Sequence, residues 1–128
     1  MSEISAVRPT VLIVDDEADL LDIMQRMLRR RGFETLVAGD AESAIATCRE
    51  HDGPIDVLVT DLGLPGSSGG ELSRVATALR PGMSVVYISG LPKDIAVTKG
   101  LIADDALLVK KPFTADLLTE ALHLALPN

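Results

Sequence analysis

The chain has 128 residues, and its 12 Lys and Arg against 19 Asp and Glu give a formal net charge of −7. This acidic balance argues against direct binding to nucleic acid or to an anionic membrane surface, because both need a basic protein face. Cys48 is the single cysteine, so an intrachain disulfide is excluded and a reducing, cytoplasmic compartment is predicted. No apolar run approaches the roughly 18 residues of a membrane-spanning helix. The length predicts one domain over residues 1–128, with its core at about 10–126.

Short apolar runs alternate with stretches of helical spacing along the whole chain. Both kinds of pattern can be read directly from the order of apolar, polar and turn-forming residues. In chain order they predict a strand over 11–14, a helix ending near Gly32, a strand over 33–38, a helix capped by Asp40, a strand over 55–60, a Gly/Pro/Ser-rich loop over 62–70, a helix carrying Leu72, Val75, Ala76 and Leu79, a strand over 83–88, a weak helix over 92–100, a strand over 106–109, and a last helix capped by Thr114.

Five strands that alternate with helices indicate a parallel sheet covered on both faces. Right-handed crossovers leave few ways to arrange such units. We therefore predict an α/β fold, a flavodoxin-like (βα)5 three-layer sandwich whose five-stranded parallel sheet has the order 2-1-3-4-5.

Polar side chains follow the predicted strands at the edge where such folds bind ligands. The set comprises Asp15, Asp16, Asp61, Ser89 and Lys111. Three acids in one cleft repel one another, and a hard cation such as Mg²⁺ relieves that repulsion with oxygen ligands. A lysine and a hydroxyl beside the metal suit a phosphoryl group. Since carboxylates can act as covalent nucleophiles, Asp61 is the candidate phosphate acceptor.

The chain resembles the receiver domain of two-component response regulators. The resemblance covers about residues 10–126. Four blocks carry it: V-L-I-V-D-D-E at 11–17, D-L-G-L-P-G-S-S-G-G-E-L at 61–72, V-V-Y-I-S-G at 85–90 and K-K-P-F at 110–113.

The resemblance implies that Asp61 takes a phosphoryl group from the phosphohistidine of a histidine kinase or phosphotransfer domain. Lys111 matches the lysine that pairs with the acceptor and then with the phosphate. Ser89 matches the hydroxyl that bonds the phosphoryl oxygen, and Pro112 a proline that commonly follows a cis peptide bond. The implied activity is limited to Mg²⁺-dependent phosphorylation and dephosphorylation of the chain itself, so we do not expect an enzyme acting on other substrates. The expected output is a conformational change passed to an unidentified downstream protein.

The resemblance also implies the ligands of Mg²⁺. Asp16 and the backbone carbonyl of Gly63 match direct ligands, Asp61 contributes to the same site, and Asp15 more often acts through water. Two positions depart from the family pattern. Leu108 stands where an aromatic residue is common three residues before the lysine, and Gly63 offers no side chain two residues after the acceptor.

Other interpretations compete with this one. Taken singly, Asp15 and Asp16 could simply favour a helix N-terminus, Asp61 could be a turn residue, and Lys111 could be a solvated charge. A phosphatase with a D-x-D motif or an FMN protein fits poorly, because Asp15 and Asp16 are adjacent and acids there repel phosphate. A pseudo-receiver, which binds partners without phosphorylation, usually lacks an acid or the lysine.

Only 18 residues follow Lys110, so we expect no DNA-binding domain after it. We expect the chain to be either a stand-alone regulator or the receiver of a hybrid histidine kinase.

Overall fold

A computed structural model describes residues 8–127 of the chain. Five strands form the main sheet: β1 (Thr10–Val14), β2 (Glu34–Ala38), β3 (Val57–Asp61), β6 (Ser84–Ser89) and β7 (Leu107–Lys110). A separate two-stranded hairpin consists of β4 (Gly63–Leu64) and β5 (Ser67–Ser68). The helices are α1 (Ala18–Arg30), α2 (Ala41–Glu50), α3 (Gly69–Leu79), α4 (Lys93–Thr98) and α5 (Ala115–Ala125).

The main sheet is parallel throughout, with the order β2-β1-β3-β6-β7. Counted within the sheet alone, this order is 2-1-3-4-5, so the predicted topology is confirmed. The order places β1 and β3 side by side at the centre, and the chain leaves both strands at the same edge.

Alternation along the central strands sends side chains into two aliphatic layers. Val11 and Ile13 pack with buried side chains of α1 and α5, whereas Leu12 and Val14 pack with those of α2 and α3. Because both faces of β1 are covered, its residues 11–14 are all apolar rather than alternating between apolar and polar. No helix among residues 8–127 combines the length and apolar character needed to cross a membrane.

The fourth helix is short, as its β-branched composition predicts. It covers 93–98 within the predicted 92–100. Its one buried residue, Ala96, belongs to a small cluster with Leu62, Tyr87 and Ile102. This cluster has four buried members, and the partly buried Val85 packs against both this cluster and the layer beside α2 and α3.

The predicted loop over 62–70 is more ordered than expected. It contains the β4–β5 hairpin and the first residues of α3. Gly66 has φ +74° directly after Pro65, which is the arrangement that a type II turn requires. Leu64 is buried in the layer beside α2 and α3 and anchors the hairpin. Such short strands carry no periodic signal, so the sequence alone did not indicate them.

Side-chain caps at the helix N-termini agree with the predictions. Asp40 accepts a hydrogen bond from the Ser43 N–H (2.7 Å), and Thr114 accepts one from the Leu117 N–H (3.1 Å). Ser68, which was not predicted as a cap, accepts from the Glu71 N–H (3.0 Å) at the start of α3. Gly32, with φ +93°, follows α1 as the predicted stop.

Candidate functional site

The two adjacent acids after β1 have different environments. Asp15 is completely buried, while Asp16 is exposed. The Asp15 N–H donates to the Ala38 carbonyl of the neighbouring strand (3.3 Å), which extends the strand-like path by one residue and directs this side chain inward. The Glu17 N–H donates to Asp15 Oδ1 (2.9 Å) and fixes the carboxylate.

Asp61 is the last residue of β3, and its carboxylate lies at the same sheet edge. The Gly63 N–H donates to Asp61 Oδ1 (3.1 Å). The next residue, Leu62, donates its N–H to the Ile88 carbonyl of β6 (3.0 Å). The Asp61 carboxylate is thus held by the backbone that follows it, although the side chain keeps some exposure to solvent.

Lys111 links the acids that come from different strands. Its Nζ lies 2.9 Å from Asp61 Oδ2, 3.3 Å from Asp15 Oδ2 and 4.0 Å from Glu17 Oε1. Its backbone N–H donates to the Ser89 carbonyl (2.8 Å), which continues the pairing of β6 with β7. The peptide bond between Lys111 and Pro112 is cis, as the resemblance implied.

Acidic side chains outnumber basic ones at this edge of the sheet. One carboxylate oxygen from each of Asp15, Asp16 and Asp61 lies within 4.8 Å of the other two, and the Lys111 ammonium contacts Asp15 and Asp61. Burial raises the pKa of the Asp15 carboxyl, and the nearby Asp61 charge adds to that effect, against the opposing hydrogen bond from Glu17 and the charge of Lys111. Burial acts to lower the pKa of Lys111, but its hydrogen bond to Asp61 and the charges of both acids outweigh it, so that pKa is raised.

The donor set fits a hard divalent cation. Three carboxylates close together offer the oxygen ligands that Mg²⁺ prefers, and one of the three is exposed enough to leave room for water. A cation there would also relieve the unfavourable burial of charge on Asp15. Gly63 lies two residues after Asp61, and its N–H donates to the Asp61 carboxylate. The role of the Gly63 carbonyl as a metal ligand stays a prediction.

Ser89 reaches the same edge but is engaged in its own turn. It is the last residue of β6 and is buried, and its Oγ accepts from the Leu91 N–H (3.0 Å). In the part of the chain that the structure describes, no hydrogen bond joins Ser89 to Asp61. The predicted hydrogen bond from Ser89 to a phosphoryl oxygen on Asp61 stays a prediction.

Two site features were not predicted from the sequence. Glu17 extends the acidic run toward Lys111, although its side chain is exposed. Gly69 begins α3 so close to Asp61 that a Cβ there would collide with the carbonyl oxygen of Asp61. The only sequence signal for that approach is the Gly69-Gly70 pair, which is indistinguishable from ordinary loop glycines.

Leu108, the residue that departs from the family pattern, is half-buried beside an aromatic ring from the neighbouring strand. Tyr87 of β6 is its partner in the β6–β7 register, and both pack in the cluster around α4. The aromatic side chain on this face of the sheet is therefore carried by β6.

Comparison with known proteins agrees with this geometry. Residues 11–123 match the family described as the response regulator receiver domain. The DNA-binding response regulator MtrA of Mycobacterium tuberculosis is 34% identical over 107 residues, which cover 84% of this chain and 46% of MtrA. The chain thus spans about half the length of the curated relatives it matches. Because this relative is named as DNA-binding, the prediction of no contact with nucleic acid, which rested on charge, is not supported.

Solved structures give the same assignment over nearly the whole chain. A response regulator receiver protein from Sinorhizobium medicae is 31% identical with a TM-score of 0.79, and the match covers 92% of this chain and 94% of that one. The receiver domain of the hybrid histidine kinase CckA is 30% identical with a TM-score of 0.75, covering 92% and 99%. The pseudo-receiver alternative gains no support, since all three acids and the lysine are present and close together. The chain belongs to the family of response regulator receiver domains.

Proposed function

We propose that this chain is the phosphoacceptor domain of a two-component or phosphorelay system. It accepts a phosphoryl group on Asp61 from the phosphohistidine of a histidine kinase or phosphotransfer domain. The observation that carries this proposal is the Lys111 ammonium, which bridges Asp61 and the buried Asp15 next to the exposed Asp16. A structural ion pair needs one acid, whereas this arrangement keeps three acids at a solvent-accessible edge.

The transfer is a displacement at phosphorus. A carboxylate oxygen of Asp61 forms the new O–P bond while the P–N bond to the donor imidazole breaks. The electron pair of that bond returns to the imidazole, which takes up a proton from solvent if it leaves as the anion. The products are an acyl phosphate and a neutral histidine. Lys111 holds Asp61 before transfer and can then contact the phosphoryl oxygens, because charge-assisted hydrogen bonds to phosphate are strong.

Asp15, Asp16, Asp61 and the carbonyl of Gly63 would hold Mg²⁺ at this site. The bound ion would supply positive charge to the phosphoryl oxygens during transfer. The chain acts on itself only, through Mg²⁺-dependent gain and loss of its own phosphoryl group. Ser89 would give up its present turn contact and donate its hydroxyl to a phosphoryl oxygen.

The output of this domain is a conformational change read by a protein partner. The added phosphoryl group brings acceptor oxygens and negative charge to a strand edge where Ser89 and Lys111 are joined by a backbone hydrogen bond. A cytoplasmic location fits this role and fits Cys48, which is a buried free thiol.

The test is phosphorylation by a small donor. The chain should take one phosphoryl group from acetyl phosphate when Mg²⁺ is present, measured by intact mass, and the modification should be acid-stable and base-labile. Asp61→Asn should take none. Asp104→Asn, which changes an exposed carboxylate outside the site, should behave as wild type. Equal labelling of the Asp61→Asn variant would contradict the proposal.

A further inference from the structure

Tyr87 carries a hydroxyl into an apolar environment. Its ring lies in the middle of β6, between Thr60 of β3 and Leu108 of β7, and packs with the cluster around α4. A buried hydroxyl without a partner is costly. The partner here is Ser73 on α3, whose Oγ lies 2.7 Å from the Tyr87 hydroxyl.

The direction of this hydrogen bond follows from the proton count. Ser73 Oγ also lies 2.9 Å from the Gly70 carbonyl oxygen, which can only accept. A serine hydroxyl has one hydrogen, so Ser73 donates to Gly70 and accepts from Tyr87. The Tyr87 hydroxyl, the Ser73 hydroxyl and the Gly70 carbonyl thus form a directed chain from β6 to the first turn of α3.

That first turn lies directly against the acceptor. The Gly69 N–H donates to the Leu62 carbonyl (2.9 Å), and there is no room for a Cβ between Gly69 and the carbonyl oxygen of Asp61. A shift of the first turn of α3 must therefore move the backbone of residues 61–63. Those residues contain the proposed acceptor and the Gly63 amide that bonds its carboxylate.

We infer that Tyr87 is a positioning residue for the phosphoacceptor: through Ser73 and Gly70 it holds the first turn of α3 against the backbone of Asp61 and so fixes the acceptor carboxylate. The inference rests on the proposed function. Within residues 8–127 no hydrogen bond joins the Tyr87 side chain to Asp61 or Lys111, so its effect passes through Ser73 and α3. Because Tyr87 and Ser89 are two residues apart in one strand, the link also ties α3 to the strand that ends at Ser89.

The experiment compares hydroxyl deletions on and off this chain of hydrogen bonds. Tyr87→Phe and Ser73→Ala each remove one hydroxyl of the link. Thr77→Ala is the matched control, because Thr77 lies on the same helix and its hydroxyl bonds only to carbonyls within that helix. The rate constant for phosphorylation of Asp61 by acetyl phosphate is measured at saturating Mg²⁺ and at a temperature where circular dichroism shows every variant fully folded.

We expect Tyr87→Phe and Ser73→Ala each to lower this rate constant by about three- to tenfold, the factor to which one hydrogen bond corresponds. The double variant should be no slower than the slower single variant, because both substitutions break the same link. Thr77→Ala should react at the wild-type rate. Lost stability alone would leave the rate constant of fully folded protein unchanged, so this readout separates positioning from a structural role.

A second readout does not depend on phosphorylation. In amide NMR spectra recorded without donor or metal, Tyr87→Phe should shift the signals of Gly63 and Gly69, and Thr77→Ala should not. A wild-type rate for Tyr87→Phe, with these two amides unshifted, would overturn the inference. Wild-type protein that takes no phosphoryl group would overturn the proposed function, and the amide shifts would then decide by themselves whether Tyr87 positions residues 61–63.

Discussion

At the scale of single residues, burial disfavours the charged form of the Asp15 carboxyl. Its side chain is completely buried, and that burial raises its pKa above the ordinary value of 3.8. A raised pKa means that the folded state holds this proton more tightly than the unfolded chain does. The stabilising contribution is present at low pH and is lost as pH rises through the folded pKa. At a pH above the folded pKa, then, the ionised carboxylate opposes folding.

Asp15→Asn should therefore melt at a higher temperature than wild type at pH 7 without Mg²⁺. Asparagine keeps the shape and can still accept the Glu17 N–H, but it carries no charge to desolvate. The difference should shrink as the pH falls toward the ordinary range of aspartate. Thermal unfolding at several pH values measures it, with Asp16→Asn as the exposed control. A lower melting temperature for Asp15→Asn at pH 7 would show that the contact with Lys111 outweighs burial.

At the scale of elements, the Arg80 side chain links the end of α3 to the end of α2 by hydrogen bonds. Arg80 follows α3, and its guanidinium donates from Nε to the Cys48 carbonyl (2.8 Å), from Nη2 to the His51 carbonyl (2.6 Å) and from Nη1 to the Gly53 carbonyl (2.7 Å). The carbonyls at the end of a helix have no partners within that helix. Arg80 therefore caps α2 from the end of α3.

Arg80→Ala should lower the free energy of unfolding by about 2 kcal/mol, because several hydrogen bonds from a charged donor are lost together. Arg80→Lys should recover only part of this, since an ammonium cannot reproduce the planar fork of the guanidinium. Arg74→Ala, which removes an exposed arginine from α3, should change stability by less than about 0.5 kcal/mol. Urea denaturation measures all three. Equal midpoints for Arg80→Ala and Arg74→Ala would disprove the capping role.

At the scale of the whole molecule, metal binding should be linked to stability. A chain of net charge −7 gathers three of its acids at one sheet edge, so a cation that binds only the folded state must stabilise it. Mg²⁺ at ten times its dissociation constant should add ~1.4 kcal/mol to the free energy of unfolding. Removal of the metal with EDTA should reverse the gain.

Asp16→Ala should abolish this response with little other effect, because Asp16 is exposed and its side chain fills no part of the core. Asp19→Ala removes an exposed acid of α1 outside the cluster and should leave the response intact. Melting curves over a Mg²⁺ titration provide the measurement. An unchanged Mg²⁺ response in Asp16→Ala would exclude that carboxylate as a ligand.

The order of residues by itself determined the fold, and it predicted that Asp15, Asp16, Asp61 and Lys111 lie close together at one sheet edge. A fully apolar run such as Val11–Val14 indicates a strand covered on both faces. Five predicted strands that alternate with helices leave few topologies, and the flavodoxin-like order is a leading one. Because parallel strands end at the same edge, Asp15, Asp61 and Lys111 had to meet there. These conclusions need only periodicity and chain direction, and both are properties of the sequence.

Only the tertiary structure decided the contacts that fix the site's details. It buried Asp15 and left its neighbour Asp16 in solvent, and it set Gly69 against the carbonyl of Asp61. It also paired the Tyr87 hydroxyl with Ser73 and the Arg80 guanidinium with a carbonyl at the end of α2, each by a hydrogen bond. Apolar periodicity reports which face of an element is buried. It does not report which polar atom on another element will lie within hydrogen-bonding distance, since that depends on how the packed elements are placed relative to one another.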